Sequence, residues 1–167
     1  MRAVPIVALD VPDEPRALQL VQRLGDACDF YKVGSELFTA TGPKIVESLR
    51  SRGKRVFLDL KFHDIPNTVR AAARSASAAG ASLLTVHGIG GRAMIEAAVD
   101  GAGAGCGVLA VTVLTSLDQS ALSVALGKGV SSVPDEVSRI AGIARSAGAH
   151  GVVCSGQEAA RIAFEHD

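Results

Sequence analysis

Asp59, Lys61 and Asp64 put a carboxylate, an ammonium and a second carboxylate within six residues, directly after the apolar run Val56-Phe57-Leu58. Side chains alternate along a strand, so a strand through this run projects Asp59 and Lys61 from one face, opposite charges side by side. Pro66 has the fixed φ that suits a first helical turn, which leaves Asp64 in a strand-to-helix loop. One reading is a solvated strand end with a surface ion pair. The other is chemistry, because a charge that follows a hydrophobic run is costly to bury without a partner. Aspartates that hold a lysine in its cationic form make a positioned proton donor beside concentrated negative charge, which suits protonation of a carbanion.

The elements that must position these groups alternate in type. Apolar β-type runs are expected over 4–9, 30–33, 56–60, 82–86, 108–114 and 151–154. Helices are expected from Asp13 to Gly25, from Pro43 to Gly53, from Asn67 to Ala79 before Gly80, through Met94, Ile95 and Ala98, from Pro134 through Ala144, and from Gln157 to Phe164. Gly34-Ser35-Glu36 reads as a loop and Leu117 to Val133 as a longer connection. Strand centres recur about every 25 residues, the period of βα units in a parallel α/β fold. A (β/α)8 barrel of TIM type is the expected architecture, with a doubly wound open sheet as the alternative. Asp10, Lys32, Asp59 with Lys61, His87, and Thr115 with Ser116 end successive strands, which gathers them on the C-terminal rim where barrel enzymes keep their chemistry. Six βα units are read where a closed barrel has eight and roughly 250 residues. The expectation is therefore one partial barrel domain over residues 1–167, two units short of closure, with unpaired sheet edges.

The chain of 167 residues is 48% hydrophobic with no Trp and one Tyr, so its core should be aliphatic. Its 17 basic and 17 acidic residues cancel, and no basic cluster suggests a nucleic-acid or membrane footprint; a small-molecule partner is expected. Cys28, Cys106 and Cys154 are odd in number and widely spaced, which fits reduced thiols in the core. The apolar start is too short for a signal peptide, and no run approaches the roughly 20 residues of a membrane span, so a soluble cytoplasmic protein is expected. His63, His87, His150 and His166 show no metal-ligand spacing, and no metal is expected. The glycines at 101, 103, 105 and 107 precede a strand instead of following one, which rejects a dinucleotide loop. Gly90-Gly91 reads either as an anion site at a helix start or as a tight turn.

The run Asp59-Leu60-Lys61-Phe62-His63-Asp64-Ile65-Pro66-Asn67-Thr68 resembles the signature of the orotidine 5'-phosphate decarboxylase family, and the likeness runs from about Val4 to the chain's end. The Asp-x-Lys-x-x-Asp core is shared with a wider group of phosphosugar lyases; the Ile-Pro-Asn-Thr extension narrows it. The resemblance implies a cofactor-free decarboxylase that converts orotidine 5'-phosphate to UMP, with Lys61, Asp59 and Asp64 catalytic and the site shared across a homodimer. It also implies substrate contacts: Asp10 and Lys32 at the ribose, Ile65 and Thr68 beside Asp64 from the neighbouring subunit, and Thr115 and Ser116 at the pyrimidine. Read without it, Asp10 can cap the helix that follows, Lys32 can snorkel, and the two hydroxyls can satisfy backbone groups. By the same resemblance the phosphate is held after strands seven and eight, by a glutamine and an arginine. The alternatives are a catalytically impaired fragment or scaffold of that family, an anion-binding module, and a metal-dependent phosphosugar decarboxylase or aldolase. The last is disfavoured because those relatives carry a carboxylate ligand where this chain has Lys32.

Overall fold

A computed structural model describes residues 3–166. Six strands form one parallel sheet in the order β1-β2-β3-β4-β5-β6: Val7–Ala8, Phe30–Gly34, Arg55–Phe62, Leu83–His87, Gly107–Val111 and Gly151–Val153. Sequential order without a reversal is that of a β/α-barrel wall; a doubly wound sheet reverses at a switch point. The connecting helices are α1 (Glu14–Leu24), α2 (Ser35–Thr41), α3 (Lys44–Arg50), α4 (Pro66–Ala79), α5 (Arg92–Ala102), α6 (Gln119–Leu126), α7 (Val133–Ser146) and α8 (Ala159–His166).

Local signals set most of these bounds. Asp13 caps α1 by accepting the Arg16 N–H at 2.9 Å, and Ser132 caps α7 by accepting that of Asp135 at 3.1 Å. Gly80 ends α4 in the left-handed region at φ 97°, where a residue with a Cβ is disfavoured. The main core lies between sheet and helices, built on Leu9, Val33, Ile45, Leu49, Leu84 and Ile95; it is mainly aliphatic, with Tyr31 fully buried in it and Phe38 and Phe62 packed against it. A second cluster, Val113, Leu122, Val137, Ile140 and Ile162, packs under α6, α7 and α8.

Four expectations need correction. Residues 35–41 form helix α2, not a loop; seven residues with Leu37 buried are too few to show a helical period. The long connection before α7 contains α6, framed by Asp118, which accepts the Ala121 N–H at 2.8 Å, and by left-handed Gly127. The first strand is only Val7–Ala8: Pro5 has no N–H for a ladder, and Val4 is 57% exposed. The fifth strand stops at Val111, because its neighbour β6 ends at Val153, whose carbonyl accepts both the backbone N–H and the hydroxyl of Thr112. Thr115 and Ser116 consequently lie in the turn beyond the strand instead of at its end.

Candidate active site

The C-terminal ends of β1, β2 and β3 bring four charges into one alternating chain. Lys32 Nζ lies 3.1 Å from Asp10 Oδ1 and 3.7 Å from Asp59 Oδ2. Lys61 Nζ donates to both oxygens of Asp59 at 2.9 Å. Exposure falls along this chain from 68% at Asp10 to 13% at Asp59, so the central carboxylate sits where water screens it least. Two ammonium groups beside Asp59 offset the cost of burying it. Lys61 keeps a third of its side chain exposed, which leaves its ammonium accessible from the rim.

The expected pairing of Asp59 with Lys61 is present, but simple alternation does not produce it. Leu58 pairs with Leu84 and Phe62 with Val86, so Asp59, Leu60 and Lys61 together face the single residue Thr85. Lys61 takes up this excess at φ 52°, the only positive φ outside glycine among the described residues. That conformation costs about 1–2 kcal/mol for an L-residue, and such strain collects at functional sites. Bulges likewise concentrate beside active sites, where they re-aim a side chain. Sequence reasoning missed Thr85, whose hydroxyl accepts the Lys61 N–H and donates to Asp59 Oδ1, both at 2.9 Å. A signal was available: Thr85 is polar within the apolar run Leu83 to Val86, and a buried hydroxyl requires a partner.

Asp64 and Ile65 stand apart on the exposed β3–α4 connection, and Thr68 is exposed in the first turn of α4. Asp64 Oδ1 accepts the Ile65 N–H at 2.6 Å, and Ile65 is 67% exposed. Thr115 and Ser116 are exposed in the turn before α6, where Thr115 borders a cleft with Leu117, Ser155 and Glu158. His87 closes β4 with its ring 5.5 Å from that of His63. Burial holds the His87 imidazole below its ordinary value, and the His63 and Lys61 charges push the same way. A cleft of about 690 Å³ lined by Leu18, Gln22, Asp26 and Lys54 lies at the N-terminal ends of the strands, away from this chemistry. Gly90 and Gly91 flank a tight turn before α5. Gly101 is in α5, Gly103 and Gly105 bound a short turn, and Gly107 opens β5, an arrangement with no phosphate-binding strand-to-helix loop. The three cysteines are free, and burial pushes the Cys106 thiol up to about 11, which keeps it protonated and unreactive. Among the described residues no cluster of His, Cys, Asp and Glu has metal-binding geometry, and no helix is long and apolar enough to cross a membrane.

Residues 4–166 match the model of the Orotidine 5'-phosphate decarboxylase / HUMPS family. A protein of Anaeromyxobacter sp. (strain K) named orotidine 5'-phosphate decarboxylase is 51% identical over 93% of this chain and 67% of its own length. One of that name from Nitrosospira multiformis is 49% identical over 94% of this chain and 65% of its own. The crystal structure of orotidine 5'-phosphate decarboxylase from Lactobacillus acidophilus superposes with a TM-score of 0.89 at 36% identity, over 96% of this chain and 75% of that one. The chain thus spans about two thirds of the length of these curated relatives, and the sequential six-stranded sheet is the corresponding part of a β/α barrel.

Proposed function

Since the chain belongs to the Orotidine 5'-phosphate decarboxylase / HUMPS family, we propose that it converts orotidine 5'-phosphate to UMP and carbon dioxide in pyrimidine synthesis, in the cytoplasm, with Lys61 as proton donor. The observation that carries this reading is the chain Asp10–Lys32–Asp59–Lys61, a fixed line of charge ending in an accessible ammonium. When the bond from C6 to the carboxylate breaks, its electron pair stays on C6 and carbon dioxide leaves. The ring offers that pair no good sink, so the site must favour it electrostatically. At about 4 Å and an effective dielectric of about 20, one cation contributes roughly 4 kcal/mol. Lys61 then gives a proton from Nζ to C6 and is re-protonated from solvent. Asp59 aims the ammonium through both of its oxygens. Asp10 and Lys32 hold the ribose, Thr115 and Ser116 meet the pyrimidine, and Asp64, Ile65 and Thr68 complete the site of a second copy of the chain.

The line of charge also bears on the metal-dependent alternative. Lys32 places an ammonium between Asp10 and Asp59, where a divalent ion would need those carboxylates free. The test is incubation of the purified protein with orotidine 5'-phosphate, following loss of the orotate chromophore and appearance of UMP, with and without a chelator. UMP formed at the same rate in both is expected. No UMP would overturn the reading, and activity lost on chelation and restored by a divalent ion would favour the phosphosugar-lyase chemistry.

A further inference from the structure

We propose that Thr85 is a positioning residue for Lys61: its hydroxyl ties the two ends of the β3 bulge together and thereby fixes the ammonium against Asp59. The inference rests on the decarboxylase reading of the Lys61 site and adds to it a residue that touches no substrate. Its starting point is an interrupted ladder. Between the pairs Leu58–Leu84 and Phe62–Val86, strand β3 has three residues where β4 has one, so the regular register is broken at Lys61. The Thr85 hydroxyl accepts the Lys61 N–H there.

The direction of both bonds is forced by chemistry. A backbone N–H only donates, which leaves the hydroxyl proton free, and an ionised carboxylate only accepts, so Thr85 must donate to Asp59. One small group therefore fixes the backbone of the lysine and the carboxylate that its ammonium grips. Thr85 is 0% exposed, so water cannot replace either bond when the hydroxyl is removed. Without the hydroxyl, Lys61 has less reason to remain at its disfavoured φ of 52°, and the ammonium is released from its aim. A misplacement of about 1 Å at a reacting group is enough to slow a reaction about 100-fold.

The test compares Thr85→Val, which keeps the shape and deletes the hydroxyl, with Thr85→Ser, which keeps the hydroxyl, in the full product of the gene. The valine variant is expected to lose about 100-fold in kcat with KM within about threefold of wild type, because aim and not substrate binding is lost. The serine variant is expected within about tenfold of wild-type kcat. Should the valine protein not fold by circular dichroism, Thr85→Ala takes its place, since it deletes the same hydroxyl. A folded hydroxyl-less variant with wild-type kcat, or a serine variant as slow as the valine one, would overturn the proposal. Wild-type protein and Lys61→Ala are run alongside. A wild type that forms no UMP contradicts the decarboxylase reading itself, whereas an active wild type beside an undiminished valine variant contradicts only the role of Thr85.

Discussion

Asp59 holds the centre of the site, with Lys61 on both its oxygens, Lys32 at 3.7 Å and Thr85 donating to Oδ1. Asp59→Asn removes the charge that faces both ammonium groups while nearly preserving shape. We expect kcat to fall by about 100-fold or more, the scale on which preorganised electrostatic contacts act, as read by loss of the orotate chromophore at saturating substrate. His87 supplies a pH signature. Its folded-state value is depressed below 6.5, chiefly by burial, so below 6.5 the unfolded chain binds the proton more readily. The stability it contributes is present above that value and is lost as pH falls toward the folded one. Urea midpoints should therefore decline below about pH 6.5, and His87→Gln should flatten the decline; an equal slope in both proteins would count against it. The charges at 59, 61 and 64 were legible as residue types in the sequence. The bulge that joins Asp59 to Lys61 was not, since it is a mismatch between two strands and only their pairing reveals it.

At the scale of elements, βα alternation was readable because caps and apolar runs coincide, as at Asp13 with α1 and Gly80 with α4. Helices α2 and α6 escaped because each is short and buries one residue within its span, Leu37 or Leu122. Packing between α4 and α5 was equally hidden. A Cβ on Gly101 would run into the backbone carbonyl of Arg70, so glycine at that point lets the two helix backbones approach closely. Gly101→Ala must push α5 off α4, and α4 follows directly from the loop that carries Asp64. Overpacking of this kind costs about 1–3 kcal/mol. A lower urea midpoint with an unchanged slope is the expected result, and a neutral substitution would show that the helices separate freely.

Taken whole, the described residues gather the Asp10–Lys32–Asp59–Lys61 charges on the rim while leaving Asp64 exposed on the β3–α4 loop and Thr68 exposed in the first turn of α4. Under the proposed function, a site completed by a second copy would account for that separation. Asp64→Ala and Lys61→Ala proteins should each be inactive alone, and equal mixing should restore about a quarter of wild-type sites, since half of the pairs are mixed and each holds one intact site; no recovery at any ratio would contradict a shared site. The strand order was legible from the spacing of apolar runs, whereas the proposed sharing of the site between copies turns on which loops reach outward. The central claim, that the Lys61 ammonium stabilises and then protonates the carbanion, is tested most directly by turnover of Lys61→Ala on saturating orotidine 5'-phosphate, with folding verified by circular dichroism. The account predicts a loss of at least about 1,000-fold; a folded variant that retains activity within about tenfold of wild type would contradict it.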